Sequence, residues 1–119
     1  VSALRAQGGA HAGVGAQGCA ALTNLACDNN YNKKAIASAG GVEAVMSALR
    51  AHGEVDAEGA EKGCWALTNL CLDTTANAVA IAAAVSAGAV PLVEAAVRAH
   101  PSNTNIQEDG PQLLTKLKA

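Results

Sequence analysis

Apolar and polar residues along this chain follow the spacing of amphipathic helices. In residues 63–70, apolar side chains recur at intervals of three or four, which places them on one face of a helix. Almost the same letters occur 45 residues earlier, at residues 18–25, where Ala20 stands in the place of Trp65. Self-similarity at a fixed period of this length is typical of stacked repeat proteins, in which each unit buries its apolar face against its neighbours.

The pattern predicts three helices in each repeat. A short helix over residues 31–39 ends at Gly40 and Gly41, where a left-handed backbone costs little. A second helix follows, with an apolar face made of Val42, Val45, Met46 and Leu49. A turn at residues 53–56 then leads into a long third helix that contains the repeated motif.

These helices divide the chain into a partial repeat at residues 1–27, a full repeat at residues 28–72 and a second full repeat at residues 73–118. Residues 2–6 match residues 47–51 at the same offset of 45, so we expect the chain to begin inside a repeat. Repeats of this kind bury a continuous core only when several of them stack.

Some segments depart from the regular pattern. The Gly-rich start of the chain predicts a loop before the helix at residues 16–27. Three additional residues, 83–85, are expected to lengthen a first helix by about one turn. The last helix is expected to open with a capping box made by Thr104 and Gln107, and to be interrupted at residues 110–111, which are Gly and Pro.

The composition restricts the class of protein. Half of the residues are apolar, yet the chain has no Phe, one Trp and one Tyr, so its core must come from closely approaching Ala-rich helices. A net charge of −2 gives no general attraction for nucleic acid. The sequence offers neither the roughly 18 apolar residues of a membrane span nor the charge pattern of a signal peptide. We therefore expect an all-α chain with no nucleic-acid or membrane partner.

The cysteine spacing argues against a metal site. Cys64 and Cys71 would lie about 10 Å apart along a helix axis, too far for two thiolates on one zinc ion. Cys19 and Cys64 occupy equivalent places in two repeats, and we interpret them, together with Cys27 and Cys71, as reduced thiols used as small core residues. Reduced thiols indicate a cytoplasmic or nuclear compartment. The sequence also shows no motif for catalysis or for a cofactor, and we expect neither.

The order of these helices resembles the armadillo repeat. The resemblance is carried by Ala-Gly-Gly-Val at residues 39–42, by Ala-Gly-Ala-Val-Pro-Leu-Val at residues 87–93 and by Leu-Thr-Asn-Leu at residues 22–25 and 67–70. It covers nearly the whole chain and implies a right-handed α-α superhelix whose third helices line a concave groove. HEAT repeats are the alternative architecture, and the separate first helix with its Gly hinge favours armadillo.

Trp65 and Asn69 add a narrower resemblance, to the Trp-x-x-x-Asn pattern with which importin alpha binds extended basic peptides. This implies that the Asn amide holds the peptide main chain while the indole flanks a Lys side chain. An amide can both donate and accept, and an indole face attracts a cation. The pair is complete only once, because Ala20 precedes Asn24 in the earlier copy.

Other positions complete the candidate peptide-binding site. Glu61 and Glu58 lie one and two turns before the Trp and make the predicted groove mildly acidic. Gln112 and Lys116 stand where the last repeat would carry the pair, if one loop residue is missing. The alternatives are an Asn that only links helices within the stack and a Trp that packs in the core.

These observations predict a non-catalytic module that binds an extended peptide or a partner protein along its third helices. The alternatives are a structural segment of a longer solenoid and a regulatory arm of a larger enzyme. We also expect self-association through uncapped ends, because the last helix offers four large apolar side chains to water: Ile106, Leu113, Leu114 and Leu117.

Overall fold

The computed structural model of this chain describes residues 11–26, 30–38, 40–71 and 78–118. Every regular element in these ranges is an α-helix, so the predicted all-α class is confirmed. None of these helices is long and apolar enough to cross a membrane. In chain order they are α1 (Ala12–Ala26), α2 (Asn30–Ser38), α3 (Gly41–His52), α4 (Ala57–Cys71), α5 (Ala78–Ser86), α6 (Ala89–Ala99) and α7 (Thr104–Lys118).

The helix boundaries recur with the period that the sequence predicts. Helices α1 and α4 are both 15 residues long and begin at residues 12 and 57, which are 45 apart. Helix α7 also has 15 residues and begins at residue 104, which is 47 after the start of α4. The pairs α2 and α5, and α3 and α6, begin 48 residues apart.

The third helices of successive repeats pack against one another. Helix α4 contacts both α1 and α7, while α3 packs on α4 and α6 packs on α7. Their apolar faces form one cluster of buried residues. The largest fully buried side chains in it are Met46, Leu67, Leu70, Ile106 and Leu113.

Glycines let the second and third helices of each repeat approach closely. A Cβ atom added to Gly63 would lie 2.7 Å from Cδ2 of Leu49, and one added to Gly110 would lie 2.5 Å from Cγ2 of Val97. Leu49 and Val97 are 48 residues apart, so the same contact occurs in both full repeats. Small residues therefore take the place that bulky side chains would fill in a core richer in aromatics.

The turn between first and second helices is also repeated. Gly40 and Gly88 precede α3 and α6 with φ angles of 84° and 88°, the left-handed conformation predicted at the Gly pair. Pro91 lies in the first turn of α6, where its missing N–H leaves no helical hydrogen bond unmade.

Two side chains join the full repeats through the carbonyl groups of turns. Arg50 donates from Nη2 to the carbonyl oxygen of Ala87 at 2.7 Å. His100 Nε2 lies 2.7 Å from the carbonyl oxygen of Gly53. A carbonyl oxygen only accepts hydrogen bonds, so this contact places the proton of the imidazole on Nε2. Arg50 lies near the end of α3 and His100 directly follows α6, so each contact joins the end of a second helix to a turn in the other repeat.

Helix α1 begins earlier than predicted. It starts at Ala12 instead of residue 16, so the expected loop is wrong for residues 12–15, while residues 1–10 lie outside the described ranges. Each Gly costs a helix about 1 kcal/mol relative to Ala, which is why Gly13 and Gly15 favoured a loop. The contacts of α1 along α4 outweigh this cost, because tertiary packing supplies most helical stability in proteins.

Helix α7 runs unbroken through Pro111, so the predicted interruption is wrong. A proline inside a helix removes one backbone hydrogen bond and crowds the carbonyl four residues earlier. Buried side chains on both sides of the proline, at Ile106 and Leu113, hold α7 against the core. Thr115 also donates its hydroxyl to the Pro111 carbonyl at 3.0 Å.

The start of α7 is capped by a different residue from the one predicted. The backbone N–H of Ile106 donates to Oδ1 of Asn103 at 3.0 Å, so Asn103 is the N-cap and Thr104 is the first helical residue. Gln107 does not complete a capping box. Its side-chain amide donates instead to the carbonyl of Val97 at 2.9 Å and ties α7 to α6.

The last helix does not leave its apolar residues in water. Ile106 and Leu113 are fully buried, Leu117 is 5% exposed, and Leu114 is partly buried against the core. The expectation that this helix exposes its apolar residues is therefore wrong for Ile106, Leu113 and Leu117, while Leu114 stays partly in solvent. Self-association through the other end, which involves residues 1–10, stays a prediction.

The position of the three additional residues in the last repeat also stays a prediction. Three residues, 27–29, lie between the end of α1 and the start of α2, whereas six, 72–77, lie between the end of α4 and the start of α5. The difference of three falls on residues 72–77, which lie outside the described ranges.

Candidate functional site

The candidate site is a cavity between the third helices α4 and α7. Glu61, Lys62 and Trp65 reach it from one face of α4, since residues three and four apart share a helix face. Asn105 and Asp109, one turn apart on α7, lie opposite. These five residues line a cavity of about 280 Å³, which we call the Trp65 groove.

Trp65 is 38% exposed and lies in this groove, not in the core. The Lys62 ammonium lies 5.1 Å from the centroid of its ring, within the range of a cation–π contact. A large part of the indole thus remains available to solvent, while one position near the ring already holds a positive charge.

Glu61 is fixed by side chains from the start of α7. The amides of Asn103 and Asn105 both donate to its Oε1, at 3.1 and 3.2 Å. Its other oxygen, Oε2, lies 3.6 Å from Nζ of Lys62. Since Asn103 also caps α7, the geometry of this carboxylate is coupled to the start of that helix.

These contacts keep Glu61 ionised. Burial by itself raises the pKa of this carboxyl. Hydrogen bonds from Asn105 and Asn103 and the charge of Lys62 together lower the pKa by more than burial raises it, so the pKa lies below its ordinary value. Hydrogen bonds donated to a carboxylate stabilise its charged form. The α4 side of the groove therefore carries a negative charge at neutral pH.

Asp109 behaves in the opposite way. Its pKa is raised, first by burial and then by the negative charges of Glu108 and Glu61. Desolvation and like charges both disfavour a carboxylate. A cation bound in the Trp65 groove would relieve this repulsion, so the α7 side of the groove gains from a positively charged ligand.

The predicted asparagines occupy equivalent positions on neighbouring helices. Asn69 is half-buried on α4, and its amide donates to the carbonyl of Trp65 at 3.5 Å, at the long limit for a hydrogen bond. Asn24 is exposed on α1, and Ala20 beside it is half-buried. The hydrogen bond of Asn69 stays within its own helix, and the peptide-binding role of these residues stays a prediction.

The rest of the predicted stripe lies outside the groove. Glu58 is exposed and does not line the cavity. Gln112 and Lys116 are exposed on α7, 47 residues after Trp65 and Asn69, which is the offset between the starts of α4 and α7. The helix boundaries follow this offset of 47, but the missing residue falls in α6, which has 11 residues where α3 has 12, and not in the loop.

Sequence reasoning missed four residues of this region: Lys62, Asn103, Asn105 and Asp109. Two signals pointed to them. Lys62 precedes Trp65 by three residues, and Asn105 and Asp109 are four apart, so each set shares a helix face. The repeat period identifies equivalent positions, but it does not show which side chains of one third helix reach across to the next.

Three of the cysteines act as core residues. Burial raises the pKa of Cys19 to about 12, of Cys64 to about 12 with smaller contributions from Asp109 and Cys19, and of Cys71 to about 11. Thiols with such pKa values stay protonated and unreactive. Cys27 lies outside the described ranges, and no group of three potential metal ligands occurs among the residues that the structure describes.

No protein-family model, curated protein or solved structure matches this chain. The features of this chain that bear on its function are its repeat pattern and the chemistry of the Trp65 groove.

Proposed function

We propose that this chain is a segment of an armadillo-type right-handed solenoid that binds an extended, lysine- or arginine-bearing peptide along α1, α4 and α7. The peptide belongs to a partner protein, and no catalysis is involved. The packing of α4 against both other third helices supports this architecture. The observation that carries the binding role is the Trp65 groove, where an exposed indole and two carboxylates meet between repeats.

The groove has the size and chemistry for one cationic side chain. Its volume of about 280 Å³ is below the usual range of small-molecule sites, roughly 300 to 1,000 Å³. An indole face attracts an ammonium or guanidinium group, and Glu61 and Asp109 add negative charge beside it. An acidic side chain would be repelled by these two carboxylates, and the one cation of the lining, Lys62, already lies 3.6 Å from Glu61.

The asparagine amides suit the main chain of the same peptide. An extended peptide leaves its N–H and C=O groups unpaired, and an Asn amide can donate to one and accept from the other. Among the described residues, the Asn69 side chain makes one long hydrogen bond, within α4, so it loses little by turning towards a ligand. Asn24 and Asn69 lie on adjacent helices and would hold residues of one strand-like ligand in turn.

A single complete pair limits the affinity. Each missing anchor costs about 1 to 2 kcal/mol, so the absence of two or three anchors brings a micromolar site to the millimolar range. A peptide that spans α1, α4 and α7 therefore binds weakly to this segment, with the Trp65 groove as its principal contact.

NMR titration tests the proposal. A short extended peptide with a central lysine is added to ¹⁵N-labelled protein, and the same peptide with norleucine in place of lysine serves as the uncharged control. We expect shifts at α4 and at the start of α7 with the lysine peptide only. Trp65→Ala should abolish them, while Tyr31→Ala, which removes an aromatic side chain 80% exposed on α2, should not. Shifts confined to α2 and α3 would contradict the proposal.

The contacts between repeats favour a second candidate function, a structural segment of a longer solenoid or of an enzyme's regulatory arm. In that case the hydrogen bonds from Asn103 and Asn105 to Glu61 serve only to join α4 and α7. Glu61→Ala would then lower the unfolding temperature. Neither the wild type nor this variant would bind the lysine peptide or the norleucine peptide. Binding that depends on Glu61 distinguishes the first function from the second.

A further inference from the structure

Lys62 is placed where a ligand's cation would bind. Its Nζ lies 5.1 Å from the ring centroid of Trp65 and 3.6 Å from Oε2 of Glu61. Only 26% of its side chain is exposed, although a lysine on the outer face of a helix commonly extends into water. The ammonium thus contacts both the indole and a carboxylate of the Trp65 groove.

Glu61, the carboxylate that contacts Lys62, stays in place if the Lys62 side chain moves. Glu61 is held by two amides from the start of α7, so its carboxylate stays in the groove whichever cation occupies it. Because Lys62 and Trp65 belong to the same helix, the local concentration of this internal ammonium far exceeds that of a free peptide. Two positive charges within a few ångströms repel each other, so the groove accepts one cation at a time.

We propose that Lys62 is an internal occupant of the Trp65 groove, which closes the groove to cationic ligands and must swing out before a lysine or arginine of a peptide enters. This inference rests on the proposed peptide-binding function. It also gives a second reason for weak binding, because the ligand replaces an existing contact of the indole instead of filling an empty position.

The first test needs no ligand. A lysine held near an indole face shows upfield ring-current shifts of its side-chain CH₂ protons. We expect these shifts for Lys62 in the wild type and their loss in Trp65→Ala. Lys34, which is exposed on α2, serves as the reference and should show random-coil values in both proteins. Unshifted Lys62 protons in the wild type would overturn the proposal.

The second test compares affinities for the lysine peptide. Lys62→Gln removes the competing charge and should tighten binding about two- to fivefold, the equivalent of one exposed cation–π contact. Lys62→Arg keeps a cation over the indole and should give no gain. Lys34→Gln makes the same change in net charge on α2 and should have little effect.

The outcomes separate the two proposals. Equal affinity of wild type and Lys62→Gln, with clear binding by both, overturns the role of Lys62 and leaves the peptide site standing. Tightening by Lys34→Gln as large as that by Lys62→Gln also overturns it, because net charge alone would then explain the gain. Failure of every variant to bind the peptide overturns the proposed function, and the competitor role with it, even where the ring-current shifts are present.

Discussion

Helices α4 and α7 share their length and several residues at equivalent positions. Both have 15 residues, and both carry a threonine whose hydroxyl donates to the carbonyl four residues earlier: Thr68 at 2.8 Å and Thr115 at 3.0 Å. Both press a glycine, Gly63 or Gly110, against the second helix of their own repeat. At these glycine and threonine positions, which are 47 residues apart, the two helices carry the same residue type, although Pro111 stands where α4 has the buried Cys64.

Several outward positions of the two helices differ, although Glu61 has its equivalent in Glu108. Where α4 carries Trp65 and Asn69, α7 carries Gln112 and Lys116. Nothing in the packing requires these four residues, since all of them lie at least partly in solvent. The comparison teaches that the fold is set by the inward positions, and that a binding role can be added to or removed from one repeat by changing the outward ones.

The largest effect on stability is expected from replacing equivalent leucines of α4 and α7 by alanine. Leu67 is fully buried, so Leu67→Ala should destabilise the fold by about 2 to 5 kcal/mol through lost burial and a cavity. Leu114, 47 residues later, is only partly buried, and Leu114→Ala should cost clearly less. Urea denaturation of both variants measures the difference. Equal costs would show that α7 is packed as tightly as α4.

A second prediction makes α7 more like α4. Pro111→Ala should stabilise the protein by about 1 to 2 kcal/mol, because it restores a backbone hydrogen bond and relieves crowding in the helix interior. The neighbouring exposed residue provides the control, and Gln112→Ala should change the unfolding free energy by less than about 0.5 kcal/mol. Unchanged or lower stability of Pro111→Ala would show that the proline does not destabilise α7 in its packed position.

A third prediction transfers the outward face of α4 to α7. The double change Gln112→Trp with Lys116→Asn should tighten binding of a basic peptide about two- to fivefold, as one added cation–π contact would. Lys116→Asn alone should contribute less. Isothermal titration calorimetry with a peptide long enough to reach both helices measures the gain. No gain from the double change would indicate that the ligand does not run along α7.

The smallest expected effect concerns the two carboxylates that face each other in the Trp65 groove. The pKa of Glu61 is lowered, so its charge stabilises the fold at neutral pH, and this contribution is lost as pH falls through the lowered pKa. The pKa of Asp109 is raised, so its charge opposes folding above that pKa, and the penalty vanishes below the unfolded value. The two groups therefore have opposite effects on stability at neutral pH.

Substitution separates these two effects. At pH 7, Glu61→Gln should lower the unfolding temperature and Asp109→Asn should raise it slightly, and both differences should shrink towards pH 3. Thermal unfolding by circular dichroism across this range is the measurement. A lower unfolding temperature for Asp109→Asn at pH 7 would contradict the raised pKa.

The repeat period predicted the helices well because it reflects inward packing. The 45-residue offset located α4 from α1, and the Gly pair located the left-handed turn before α3. Local signals failed where packing opposed them. Pro111 and its preceding glycine suggested a break, yet burial of Ile106 and Leu113 keeps α7 continuous.

The candidate site was predicted only in part. Trp65 and Glu61 were identified from one helix, because their spacing places them on one face. The α7 side of the groove was missed, since contacts such as that between Asn105 and Glu61 depend on how two helices 47 residues apart are placed side by side. A repeat pattern lacks this information when its outward residues differ from one copy to the next.

The bonds from Arg50 to the Ala87 carbonyl and between His100 and the Gly53 carbonyl affect how the chain opens. Each ties a side chain of one repeat to a turn of the other, so neither full repeat can unfold without releasing a polar group in its neighbour. In hydrogen-exchange terms, the two repeats should behave as one foldon, with amide protons of α3 and α6 sharing a single opening free energy. Weakening either bond by Arg50→Ala or His100→Ala should split that shared value into two.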